Sequence, residues 1–206
     1  IIYVIRNPKD NAVSYYYHHK IACFLGPYTG NFQEFMTLYM RGQLLYGSWF
    51  DHVKSFWDQR DSDQILFIKY EDMKRDLRGA VRKIMHFMDR ELSDDAIDQI
   101  VHHCSFAQMK DNPAVNRSKI PIPVFDLKEH RFMRKGIIGD WQNHFNQKQS
   151  DAMDEMYREK LASTGLELQW LPDELLKNES SEIDSNENYI KEVDNEGDNG
   201  VEATRL

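Results

Sequence analysis

Ile1-Ile2-Tyr3-Val4-Ile5, followed at once by Arg6-Asn7-Pro8-Lys9-Asp10 and then by Asn11-Ala12-Val13-Ser14, is the stretch that decides the fold. Five consecutive apolar residues stopped by a turn predict a short strand buried on both faces, as in the centre of a parallel sheet. Arg6 to Asp10 is the turn. Pro8 suits the first turn of a helix, Asp10 favours the positive end of its dipole, and Ala12–Ala22 reads as helix. A chain that opens inside a core strand is expected to be the later part of a longer domain, because natural termini are usually polar and frayed.

Working outward, Gly26 to Asn31 is a loop rich in helix breakers. Phe32–Met40 and Ser48–Trp57 carry apolar residues at helical spacing. Ile65–Ile68 repeats the buried-strand pattern and ends at Lys69-Tyr70. Met73–Met88 reads as one amphipathic helix with Leu77, Val81, Ile84 and Met88 on a single face. Ser93 is placed to cap the next helix, which turns Ile97, Ile100, Val101 and Cys104 inward. Asn112–Lys128 is a proline-bearing loop, Phe132–Trp141 is punctuated by glycine, and Ser150 is expected to cap the last helix. Strands alternating with helices predict an α/β fold with a parallel sheet.

The 206 residues carry a net charge of −8. From Pro172 onward there are eleven acids against three bases, so this segment holds the whole excess and residues 1–171 balance. Two parts are therefore expected: a folded domain over 1–171 and an acidic, disordered tail over 172–206. A neutral domain is compatible with an anion pocket and does not support a nucleic-acid-coating surface. No apolar run is long enough for a membrane helix, so no membrane partner is expected. Cys23 and Cys104 can build neither a disulfide framework nor a metal site, and a reducing, cytoplasmic compartment is the default. His18-His19 and His102-His103 are helix neighbours that point about 100° apart, so no metal is expected.

Two places could carry chemistry. Arg6 stands at the carboxyl end of a predicted parallel strand, where open α/β sheets bind ligands, and Ser14 lies on the helix that follows. A guanidinium, a hydroxyl and a helix N-terminus describe an anion site. In Phe132-Met133-Arg134-Lys135-Gly136-Ile137-Ile138-Gly139-Asp140-Trp141, two cations precede two glycines spaced by three. Glycine permits close backbone approach and Arg-Lys supplies charge for a phosphate. The same run also reads as a basic loop with two turn glycines. The aromatic residues between Phe32 and Trp57 read mainly as core, and would also suit a pocket for a flat apolar molecule.

Together these residues resemble one family, the cytosolic sulfotransferases, which transfer a sulfuryl group from 3′-phosphoadenosine 5′-phosphosulfate (PAPS) to a hydroxyl or amine. The matching runs are Arg6–Ser14, Tyr46-Gly47-Ser48-Trp49, Tyr70-Glu71-Asp72-Met73, Ser105-Phe106 with Met109, Asn112-Pro113, and Phe132–Trp141, all in order. The resemblance implies a P-loop NTPase-like three-layer α/β sandwich whose N-terminal part lies outside this chain. It implies that Arg6 and Ser14 grip the 3′-phosphate of PAPS from one side. Arg134, Lys135 and Gly136, after Phe132 and Met133, would do so from the other. Tyr70 and the segment Cys104, Ser105, Phe106 and Met109 would lie near the adenine. It implies a small acceptor such as a phenol, steroid or alcohol, and no metal.

The resemblance also places the family's phosphosulfate loop and its catalytic His upstream of Ile1, so residues 1–206 alone are expected to be inactive. Cys104 stands where the family usually has Thr, and Arg117 where the acceptor pocket often has Tyr. The glycine run ends in Gln142 instead of Lys. The family's dimer motif is degenerate at Gln142, Asn146, Gln147 and Asp151, which puts the expected homodimer in question. The competing reading is a non-catalytic nucleotide-binding or interaction protein derived from a sulfotransferase. The Golgi carbohydrate sulfotransferases share the fold, but the Tyr46–Trp49 and Phe132–Trp141 runs resemble the cytosolic group.

Overall fold

The computed structural model describes residues 1–26, 28–120 and 124–170. The acidic tail expected over 172–206 therefore lies outside the described residues. Two parallel strands, β1 (Ile2–Ile5) and β2 (Leu66–Lys69), pair in the register Ile2 to Leu66 and Ile5 to Lys69. Eight α-helices are described: α1 (Pro8–Ile21), α2 (Phe32–Met40), α3 (Trp49–Trp57), α4 (Tyr70–Arg75), α5 (Leu77–Phe87), α6 (Asp94–His103), α7 (Phe106–Asp111) and α8 (Gln147–Leu161). The α/β class with a parallel sheet is as the sequence predicts.

β1 departs from its expected burial. Tyr3 and Ile5 are buried, whereas Ile2 is 42% and Val4 51% exposed. Alternation along a strand sends these pairs to opposite faces, and among the described residues only the first face is covered. That face meets a core built from Phe35, Met36 and Tyr39 of α2, Phe50 and Val53 of α3, and Met153 and Leu161 of α8. The Tyr3 ring stacks on Phe56 with centroids 4.4 Å apart.

Local chemistry sets the helix ends. Asn7 caps α1, accepting from the Asp10 N–H at 2.8 Å, with Pro8 in the first turn. Ser48 and Ser93 cap α3 and α6. The single helix expected over Met73–Met88 is two. At Asp76 the backbone leaves helical geometry (φ −139°, ψ 83°), and its carboxylate accepts from the Gly79 N–H at 2.7 Å, starting α5 afresh. The last helix also starts earlier than expected. Asn146 forms a reciprocal capping box with Gln149, while Ser150 is buried inside α8 and accepts from the Lys9 ammonium at 2.7 Å. Three residues of the degenerate dimer motif thus have local duties: Asn146 caps α8, and the Gln147 amide donates to Asp151 at 2.7 Å.

The two strands end side by side and are pinned there. The buried Glu71, one residue into α4, accepts from both the backbone N–H and the side-chain amide of Asn7, at 3.0 and 3.1 Å. Burial raises the Glu71 pKa, although the hydrogen bonds from Asn7 and the charge of Arg6 pull the other way.

Candidate functional site

Arg6 leaves β1 at this pinned corner. Its guanidinium lies over the Tyr70 ring, 4.4 Å from the centroid, and Nη2 donates to the Ile137 carbonyl at 2.8 Å. Arg6 Nε is buried and has no hydrogen-bond partner in the structure. Burial raises the Tyr70 pKa, with Arg6 opposing it. The register that sets Ile5 beside Lys69 therefore brings Arg6 and Tyr70 together at the carboxyl ends of both strands.

The Phe132–Trp141 run folds against this corner. Gly136 takes φ +64°, and a Cβ there would overlap the Phe106 ring. Glycine is thus required twice over, by the left-handed backbone and by the close approach. Gly139 is also left-handed (φ 82°) and opens the short 3₁₀ turn Asp140–Asn143. Beneath the two cations lies Asp140, only 1% exposed. Its carboxylate meets Arg134 Nη2 at 2.6 Å and Lys135 Nζ at 2.5 Å, and accepts from the Asn143 amide at 3.0 Å. Burial opposes its ionisation. The hydrogen bonds from Lys135 and Asn143 and the close positive charge of Arg134 outweigh that penalty and hold its pKa down at about 2. Arg134 also lies over Tyr17 of α1, 4.5 Å from the ring centroid.

A second buried carboxylate fastens the loop to α1. Asp10 accepts from the Gly139 N–H at 2.7 Å and the Trp141 N–H at 3.0 Å. It is more than the dipole partner the sequence suggests. Lys9 completes the seam, lying 4.3 Å from the Trp141 ring centroid and pairing with Asp154 at 2.7 Å.

Arg6, Tyr70, Phe106, Arg134, Lys135 and Gly136 thus belong to one connected corner. The remaining expected residues have other surroundings. Ser14 is exposed and lines a cavity of about 430 Å³ with Tyr15, His18, Tyr46, Trp49 and His52. Cys104 closes α6 and lines an apolar groove with Leu77, Val81, Ile84 and Met88, so that face of α5 is less buried than its periodicity suggests. Ser105 caps α7, which contains Met109. Phe132 packs against His18 and Phe125 with the Arg117 guanidinium above it, and Met133 lines a separate cavity with Phe132 and Asn116. Sequence reasoning missed Asp140, Asp10 and Glu71 as parts of the corner. The available signal was that each acid lies inside a run already singled out, Arg6–Ser14, Tyr70–Met73 or Phe132–Trp141.

This arrangement, with cations gathered at the carboxyl edge of a parallel sheet, is that of an α/β protein. The Sulfotransferase domain profile matches residues 1–165, and the chain belongs to the sulfotransferase family. It is 46% identical over 165 residues to Sulfotransferase 1C2 of Rattus norvegicus, covering 80% of this chain and 55% of that protein. It is 43% identical over 166 residues to Sulfotransferase 1E1 of Homo sapiens, covering 81% and 56%. The chain therefore spans about half the length of the curated relatives it matches. Among solved structures it resembles mouse sulfotransferase SULT7A1 complexed with PAP (TM-score 0.68, 34% identity, 79% of this chain and 58% of that one). It also resembles retinol dehydratase in complex with androsterone and inactive cofactor PAP (TM-score 0.76, 30% identity, 82% and 49%).

Proposed function

We propose that this chain supplies the 3′-phosphate and adenine clamp of a PAPS-dependent sulfotransferase that sulfates a hydroxyl or amine of a small acceptor. The observation that carries the reading is the corner itself. Arg6, with a buried and unpartnered Nε, and the Arg134-Lys135-Gly136 turn meet beside Tyr70 and Phe106. Arg134 is 20% and Lys135 45% exposed, so both cations keep a side open to an incoming phosphate. An aromatic ring and two cation types suit an adenine beside a phosphate. Ser14 would join from α1, and Cys104, Ser105, Met109, Phe132 and Met133 would shape the rim. The aromatic cavity beside Ser14 is the natural place for a phenol, steroid or alcohol.

Sulfuryl transfer needs an acceptor base and a grip on the phosphosulfate. The family places both outside residues 1–206, so this chain by itself is expected to bind nucleotide without turnover. Loss of a positioned base alone costs about 10²–10⁴-fold in rate. The cytoplasm is the proposed compartment. Among the described residues no helix is long and apolar enough to cross a membrane.

Titration calorimetry tests the clamp. Adenosine 3′,5′-bisphosphate should bind more tightly than adenosine 5′-monophosphate, because only the first offers the 3′-phosphate. Equal affinities would remove the clamp reading. Sulfate transfer from labelled PAPS well above a no-protein control would overturn the expectation that this chain alone is inactive.

A further inference from the structure

The partly buried Arg134 and the exposed Lys135 of the basic turn share one buried counterion. Long cationic side chains on a loop are ordinarily free to wander, and ordering them on binding costs affinity. Here they are already held. Asp140 reaches one with each oxygen, Arg134 through Oδ2 and Lys135 through Oδ1. The Asn143 amide donates to the Lys135-facing oxygen. The backbone on both sides of Asp140 is fixed in turn, since the Gly139 and Trp141 N–H groups both donate to Asp10 at the N-terminus of α1. A chain of contacts therefore runs from the helix that follows Arg6 to the cations on the opposite side of the corner.

We infer that Asp140 is a positioning residue for nucleotide recognition: it sets the spacing and direction of the Arg134 guanidinium and the Lys135 ammonium before a phosphate arrives, and stays beneath them afterwards. The inference rests on the clamp reading above. Its physical basis is the location of the carboxylate. Asp140 is sealed from solvent, whereas its two partners are not, so a phosphate approaches the outer side of the cations without taking the place of the acid. A surface acid in the same pairing would instead compete with the phosphate. The carboxylate stays ionised through the physiological range, because its cationic neighbours hold its pKa far below neutrality. The result is a pair of cations oriented by the fold, with little ordering left to the ligand.

The test is the ratio of the bisphosphate affinity to the adenosine 5′-monophosphate affinity in the full chain and in Asp140→Asn. Asn keeps the shape and one acceptor but loses the charge and one oxygen. The ratio should fall by on the order of tenfold, with the monophosphate affinity nearly constant. A wild-type ratio of one would strike at the clamp reading itself. A wild-type preference that Asp140→Asn leaves intact would overturn this inference alone, and so would a gain in bisphosphate affinity, which would make Asp140 a competitor of the phosphate. Because the substitution could unfold the turn, the unmutated chain provides a second reading. The side-chain nitrogen signals of Arg134 in a labelled, ligand-free sample should show a guanidinium with restricted rotation. A freely averaging guanidinium would overturn the inference equally.

Discussion

The Gly139 N–H donates to Asp10 Oδ2 at 2.7 Å, although the residues stand 129 positions apart. This bond and its neighbour from Trp141 fasten the basic turn to the first helix. Asp10→Ala would leave both donors without their acceptor and would remove one of the two partners of the Asn7 amide. The expected loss of stability is about 3 kcal/mol, since each buried unpaired donor costs about 1–3 kcal/mol and part of the loss relaxes. Urea unfolding measures it. A change below about 1 kcal/mol would show that the fastening contributes little. Asp10→Asn, which keeps one acceptor, should lose less.

Gly136 offers a sharper geometric test. Its φ of +64° and its approach to Phe106 both exclude a side chain. Gly136→Ala should displace the turn and weaken bisphosphate binding at least tenfold. Pairing it with Phe106→Ala removes the overlap but leaves the backbone strain of about 1 kcal/mol. Adding Gly136→Ala to Phe106→Ala should therefore cost less binding than adding it to the unmutated chain, and an equal cost would assign the whole effect to the backbone.

Arg134→Ala and Arg6→Ala should each raise the dissociation constant for adenosine 3′,5′-bisphosphate. A charge-assisted pair worth about 1.5–3 kcal/mol corresponds to roughly a ten- to hundredfold loss. Arg134→Lys should also lose affinity, because an ammonium cannot reproduce the fork. Adenosine 5′-monophosphate should be nearly indifferent to Arg134→Ala. If both ligands weaken by the same factor, Arg134 is a structural prop.

Stability should fall as the pH drops from 7 to 5. Burial lowers the pKa of His18, helped by the neighbouring His19, and burial also lowers that of His19 against the pull of its bond to the Tyr15 carbonyl. Below about pH 6.5 the unfolded chain binds protons that the folded chain does not, so the unfolding free energy increases with pH there. His18→Phe, set among Phe24, Phe125 and Phe132, should flatten part of this slope in thermal melts. An unchanged slope would show that His18 takes up its proton equally in both states.

Truncation after Leu171 should leave the melting temperature nearly unchanged. Trp170 must be kept, because its carbonyl accepts from Trp141 Nε1 at 2.8 Å and its ring meets Tyr157 with centroids 5.1 Å apart. The segment beyond holds the whole net charge and no periodic apolar face. A fall of more than several degrees would show that it packs on the domain.

The sequence by itself determined the strands, most of the helices and the family, because these rest on local signals: an apolar run stopped by Asn7-Pro8, capping residues at Ser48 and Ser93, and short motifs in a fixed order. It also singled out Arg6, Arg134 and Gly136. Only the tertiary structure decided what these residues touch. The burial of Lys9 depends on Ser150 and Asp154, and that of Asp10 on Gly139 and Trp141, all far away in the chain. Asp140 is the clearest case. As a residue type it reads as a surface acid in a turn. Its burial accompanies a loop folded back on a helix more than a hundred residues earlier, which no local pattern encodes.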